Sequence, residues 1–345
     1  MSERYFAASN SGSGFYSYFG EIFSPSRLEE IYIIKGGPGT GKSYFMNRVG
    51  SEAERRGRDV VYYYCSSDQS SLDGIVIDDS IAIFDGTSPH SADADIPGAL
   101  HNILDLGCFW DARALAGKRE EIASLGDEKK KHYFRAYRYL AAYKAICEAE
   151  EKLIEPLIDR GKMQKVINSI FLNVKSGTEH DVRVSITDSV GMQGRVRFDS
   201  LEQKARKIYS ISDSLDTAHF FLYYVLECAS EKELSVTVSY DPIVPERIDS
   251  VFLRDERILF ASKSIRDGDE VKKINMSRFL YSERLSEVRG VLRRAEKLKG
   301  LLESDALECL YDAKRVHFRL EEIYKAAMDF SRKEEFTEAF IEKLF

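Results

Sequence analysis

The stretch Ile31-Tyr32-Ile33-Ile34-Lys35-Gly36-Gly37-Pro38-Gly39-Thr40-Gly41-Lys42-Ser43-Tyr44 changes character twice. Ile31 to Ile34 is a β-branched and aromatic run of the kind that fills a buried parallel strand. Gly36 to Ser43 then fits the pattern G-x-x-x-x-G-K-S/T, with Gly36, Gly41, Lys42 and Ser43 in the fixed places. Beyond it Phe45, Met46, Val49 and Ala53 recur on one helical face, and Gly57 suits the position just past a helix end near Arg56. The order is strand, loop, helix.

Glycines without a Cβ let backbone N–H groups approach a phosphate chain closely, and Gly36, Gly37, Gly39 and Gly41 supply that freedom. Pro38, Thr40 and Tyr44 complete the expected contact set. Lys42 is expected to reach the β- and γ-phosphates as a catalytic cation, the Ser43 hydroxyl to ligate magnesium, and the helix to point its positive end at the anion. The expected ligand is a nucleoside triphosphate, ATP with Mg2+. No motif reads the purine ring, so ATP rests on abundance and on the resemblance given below.

Residues 59–64 predict a second strand that ends in Cys65-Ser66-Ser67-Asp68, and Ile81-Ala82-Ile83-Phe84 predicts a third that ends in Asp85. Ligands of α/β sheets collect at the carboxyl ends of the strands, which makes Asp85 the expected magnesium partner of Ser43.

A chain of 345 residues suits two domains, and 43% apolar with 31% charged residues describes a folded protein. A net charge of −7 gives no strong signal for nucleic acid. Lys129 to Lys131, preceded by Asp127 and Glu128, reads as a solvated helix face. The five cysteines have no zinc-type spacing and read as reduced thiols. No stretch is long and apolar enough for a membrane span, so a cytoplasmic location is expected.

The chain also repeats itself. Ile31-Tyr32 falls on Ile208-Tyr209 at a shift of about 177 residues (208 minus 31), Leu72 to Ile77 falls on Ile248 to Leu253, and Ile83-Phe84 on Leu259-Phe260. Tyr143-Lys144-Ala145 recurs as Tyr324-Lys325-Ala326. The second copy has lost the glycine loop, with Lys42 aligned to His219, Asp85 to Ala261, and Asp213 and Asp216 where an anion would have to sit. Asp73 persists as Asp249 and reads as scaffold. Asp68 and His90, aligned with Val244 and Arg266, become candidate catalytic residues, although His90 also reads as a turn residue after Pro89.

These observations predict an α/β fold, a tandem duplication of a three-layer P-loop NTPase-like unit with a mainly parallel sheet. Residues 1–172 form the active copy with a helical extension from about 99. Residues 183–345 form the degenerate copy with an extension from about 278, joined through a polar connection near residues 173–181.

With FYS near the N-terminus and GGPGTGKS, CSSD, LDG and DGTSPH in that order, the chain resembles a bacterial family of predicted ATPases built from two tandem P-loop halves. The likeness covers nearly the whole length. It implies nucleotide and magnesium positions at Gly36 to Ser43 and Asp85, while the second half departs from the family by lacking its P-loop. The leading expectation is a slow ATPase or nucleotide switch, because Gly86 and not a glutamate follows Asp85. A small-molecule kinase with Asp68 as base, or a non-hydrolysing nucleotide-gated module, are the alternatives, with an unknown protein or small-molecule partner.

Overall fold

A computed structural model describes residues 2–345. The first half contains β1 (Glu3–Phe6), β2 (Ala8–Ser11), β3 (Gly14–Ser17), α1 (Phe19–Ile22), β4 (Glu30–Lys35), α2 (Lys42–Arg55), β5 (Val60–Tyr64), β6 (Leu72–Ile77), β7 (Ile81–Asp85) and β8 (His101–Asp105). Three helices follow, α3 (Ala112–Ala116), the long α4 (Arg119–Ile154) and α5 (Arg160–Phe171). The second half repeats the order as β9 (Val182–Val184), β10 (Asp188–Gly191), β11 (Gly194–Arg197), α6 (Ser200–Lys204), β12 (Lys207–Ser212), α7 (Ala218–Glu231), β13 (Val236–Tyr240), β14 (Ile248–Leu253), β15 (Ile258–Ala261), β16 (Val271–Asn275), α8 (Ser282–Ala326) and α9 (Phe330–Leu344).

Each half builds a six-stranded sheet, β1-β5-β6-β7-β4-β8 and β9-β13-β14-β15-β12-β16, in the same order. In the first sheet only β6 runs against the others, and β14 does so in the second. The structure is therefore α/β with two mostly parallel sheets. Alternation along β4 explains the layering. Tyr32 and Ile34 face a core with Phe45, Met46 and Val49 of α2, while Ile31 and Ile33 face a second core shared with Ile208, Phe252 and Leu259 of the other sheet.

The duplicated sheets expected from sequence are present, and they are not independent of each other. The inner faces of the two sheets contribute to one common core, and each sheet has its main helix layer on the outer face. The outer layers are moreover exchanged. Phe340 and Ile341 of α9 pack on the first sheet, with Phe340 against Tyr32 and Phe45 at ring distances of 4.9 and 5.1 Å. Met163, Ile167 and Phe171 of α5 pack on the second sheet with Phe221 and Val225 of α7. The sequence boundary at 172–183 separates the sheets but not the cores.

The crossing is made by α4 and α8, which pack against each other along their length. Bridges Trp110 to Met328 and Ile158 to Leu280 place the start of each beside the end of the other, so they are antiparallel. At 1.5 Å per residue, the 36-residue α4 spans about 54 Å, enough to carry the chain from one sheet to the other.

The register also corrects the alignment of the halves. Phe109 corresponds to Phe279 and Asp159 to Asp329, both at a spacing of 170 (279 minus 109, 329 minus 159), so the helical parts do not match through Tyr143 and Tyr324. Buried faces of α2 and α7 match at Phe45/Phe221 and Val49/Val225, which sets Lys42 on Ala218 and Ser43 on His219. Strand pairing sets Phe84 on Ala261 and Asp85 on Ser262, because the turn after β14 holds one residue more than that after β6.

Candidate functional site

Parallel pairing of β4 and β7 puts Ile34 opposite Asp85, so the strand-end carboxylate stands beside the glycine loop. Lys42 Nζ lies 3.5 Å from Asp85 Oδ2 and donates to the carbonyls of Gly36 and Gly37 at 2.9 Å each. Asp85 Oδ1 accepts from Thr87 N at 2.9 Å and Thr87 Oγ1 at 2.6 Å. Burial raises the Asp85 pKa, with Lys42 and Thr87 opposing. The Ser43 hydroxyl oxygen accepts from Leu72 N at 3.0 Å, which fixes it between α2 and β6. Ser43 and Asp85 are oxygen donors of the kind that suits Mg2+.

Gly41 caps α2 in the left-handed conformation with φ 79° and no side-chain cap. Among the described residues, the amides of Gly39, Gly41, Lys42, Ser43 and Tyr44 have no hydrogen-bond acceptor in the chain. The counterpart in the second half is closed. Asp213 accepts from Leu215 N, Thr217 Oγ1 and Ala218 N, so its own carboxylate occupies the start of α7. Asp216 in the same loop pairs with Lys299 of α8. Of the two aspartates expected from sequence to repel an anion, Asp213 accepts from the amides there itself, and Asp216 is engaged by Lys299.

Helices of the C-terminal region cover the first-half loop. A Cβ on Gly37 would meet the rings of Trp110 and Tyr324 at 3.2 and 3.5 Å, and one on Gly39, where φ is 72°, would meet the Glu321 carbonyl at 2.8 Å. Lys333 Nζ would lie 3.2 Å from a Cβ on Gly41 and sits 4.3 Å from the centre of the Tyr44 ring. Lys333 is 3% exposed and makes no ion pair within 4 Å among the described residues. Burial lowers its pKa, with Arg48 adding to the effect.

Lys129 is half-buried and not the solvated residue expected from its charge run. Burial lowers its pKa, and the next contribution is the charge of Lys42, which places its ammonium in the field of the loop. The spacing of 170 sets Lys129 on Lys299. Lys299 is 3% exposed and pairs with Glu150 at 2.9 Å, Glu296 at 3.0 Å and Asp216. Lys129 has no carboxylate within 4 Å among the described residues. Neither Lys129 nor Lys333 was a sequence candidate, since only tertiary packing brings α4 and α9 to the loop.

Asp68 caps its own turn, accepting from Ser70 N at 3.3 Å, Ser70 Oγ at 2.7 Å and Ser71 Oγ at 3.2 Å, and from Gln193 Nε2 of the second half at 2.5 Å. Burial works against its charged form, but the bonds from Ser70 and Gln193 prevail and lower the pKa. A carboxylate so satisfied is a weak base, and this placement favours a turn-forming role over proton abstraction.

His90 is 8% exposed, stacks on Phe19 with ring centres 4.5 Å apart, and brings Nε2 to 3.3 Å from Asp73 Oδ2. Burial would lower its pKa, yet the charges of Asp73 and Asp85 prevail and raise it. Asp73, read from sequence as scaffold, stands in this polar cluster with Cys65. The loop 86–100 has no equal in the second half, where only residues 262–270 connect β15 to β16, so His90 has no counterpart. Arg266 instead donates to the Glu202 carbonyl and pairs with Glu270.

No helix among the described residues is long and apolar enough to cross a membrane. No protein-family model, no curated protein and no solved structure matches the chain.

Proposed function

We propose that the first half is a P-loop nucleotide site that binds ATP with Mg2+ at Gly36 to Tyr44, and that the second half is its inactivated duplicate. The observation that carries this reading is the contrast between the two helix starts. The amides opening α2 have no acceptor in the chain, whereas at α7 Asp213 accepts from the first helical amide, Ala218 N, and from Leu215 N in the loop before it. An anion supplied from outside satisfies the first set, and the helix dipole adds to its binding.

In this reading Lys42 turns from the Gly36 and Gly37 carbonyls to the β- and γ-phosphates, and Ser43 and Asp85 hold Mg2+, which neutralises phosphate charge. Lys129 and Lys333 supply further positive charge from α4 and α9. Glu321, Tyr324 and Lys333 lie on the loop, so in this reading nucleotide binding shifts the C-terminal helices, and the protein is a slow ATPase or nucleotide switch, with Gly86 and not a glutamate after Asp85.

Calorimetric titration with ATP, GTP and ADP in the presence of Mg2+, with phosphate release measured on the same samples, tests the proposal. Wild type should bind ATP, and Lys42→Ala should lose binding and turnover together. Equal ATP affinity in the two proteins would refute it.

A further inference from the structure

Cys65, Asp73 and His90 take no part in the proposed nucleotide contacts and come from the turn after β5, the second residue of β6 and the loop after β7. Each offers one ligand atom, a thiol sulfur, a carboxylate oxygen or an imidazole nitrogen, and the three atoms lie within 4.8 Å of one another. Asp73 is 3% exposed and His90 8%. Although His90 Nε2 and Asp73 Oδ2 stand 3.3 Å apart, Asp73 Oδ2 forms no hydrogen bond, and neither does His90 Nδ1.

Donors that converge on a common third point have this geometry. In a tetrahedral zinc site, bonds of about 2.3 Å to sulfur and about 2.0–2.2 Å to nitrogen or oxygen separate neighbouring ligand atoms by about 3.3–3.7 Å. The Asp73–His90 distance already falls in that range.

The second half provides an internal comparison. Asp249, the counterpart of Asp73, is 5% exposed, and Arg197 Nη2 balances its charge from 3.0 Å. A buried carboxylate needs such a cation. The first half places a thiol and an imidazole beside Asp73 instead; the imidazole balances the carboxylate when protonated, and when neutral it is, with the thiol, a ligand for a cation. One thiolate and one carboxylate balance a dication, while Asp85 is already balanced by Lys42.

We propose that Cys65, Asp73 and His90 bind a divalent transition-metal ion of the zinc type, at a site distinct from the magnesium position of Ser43 and Asp85. Sulfur and nitrogen ligands select against Mg2+ and Ca2+. Binding forms a metal–sulfur bond and releases the thiol proton to solvent. Three protein ligands leave one position open for water or a solute at the carboxyl edge of the sheet.

The test is titration of metal-free, full-length protein with Co2+ in the absence of nucleotide, following the near-ultraviolet thiolate-to-cobalt absorption, and then displacement with Zn2+. Because no nucleotide is present, the outcome is separable from that of the ATP titration. The wild type should take up one equivalent. Cys65→Ser should lose the absorption, His90→Gln and Asp73→Asn should bind at least about ten-fold more weakly, and Cys147→Ser should match wild type. No absorption in the wild type overturns the proposal, whatever the folding of the variants. So does absorption that survives Cys65→Ser or disappears equally in Cys147→Ser.

Discussion

Replacing Lys129 and Lys299 by Met removes the same charge from equivalent places in the two halves, and the structure predicts opposite consequences. Lys299 is almost fully buried among Glu150, Asp216 and Glu296. Removing one partner of a buried ion pair costs about 3–5 kcal/mol. Only Glu150 is itself buried, while the side chains of Asp216 and Glu296 are 48% and 74% exposed and regain water, so the expected loss for Lys299→Met is at the low end, about 3 kcal/mol. Lys129→Met leaves no carboxylate unpaired and keeps the methylene packing, so stability should stay within about 0.5 kcal/mol of wild type. Its effect should appear in ligand binding, where a lost charge-assisted hydrogen bond of about 1.5–3 kcal/mol weakens ATP by roughly 10- to 150-fold. Urea unfolding followed by circular dichroism and calorimetric ATP titration measure the two quantities. If Lys129→Met loses as much stability as Lys299→Met, Lys129 has a protein partner and the reasoning fails. An unchanged ATP affinity would remove Lys129 from the site.

Phe340→Ala should destabilise the protein by about 3–5 kcal/mol in urea unfolding, since Phe340 is 8% exposed and packs on Tyr32 and Phe45. A loss below about 1 kcal/mol would contradict the docking of α9 on the first sheet. Gly39→Ala should lower stability by about 1–2 kcal/mol for the left-handed backbone alone, with more from the Glu321 carbonyl, and unchanged unfolding would show that the cover of the loop is loose. The approach of His219 Nε2 to 3.5 Å, with the hydrogen bonds from Arg247, depresses the Glu151 pKa to about 2 despite partial burial. A depressed carboxylate stabilises the fold above its ordinary value near 4.5 and loses that contribution as pH falls toward 2. Glu151→Gln should therefore flatten the acid limb of stability below pH 4.5, and parallel acid curves for variant and wild type would argue against the pair.

What local pattern controls was legible in the chain. Ile31 to Ile34, the glycine loop and the Phe45–Val49 face are set by neighbours a few residues apart, and β4 and α2 lie where that pattern puts them. The duplication was legible too, because paired strands keep their apolar positions. The residue-level alignment slipped by one near Asp85, since similar apolar residues on both sides of a turn conceal an inserted residue. The roles of Lys129 and Lys333 were hidden for a different reason. A 3.6-residue stripe tells a helix which face to bury but not which sheet to bury it on, and both lysines reach the loop only because α4 crosses between the halves and α9 docks on the opposite sheet. Asp73 shows the limit of comparing copies. Its aspartate is retained in both halves, but Arg197 accompanies it in one and His90 in the other.

The exchange of α5 and α9 has a consequence for how the molecule is made. During synthesis the first sheet leaves the ribosome early, yet the helix that covers the outer surface around Tyr32 and Phe45 is encoded by residues 330–344. That greasy surface must wait in water, or be shielded by other means, until residues 330–344 have emerged as well. The first sheet is thus translated before the second yet receives its outer cover only after it.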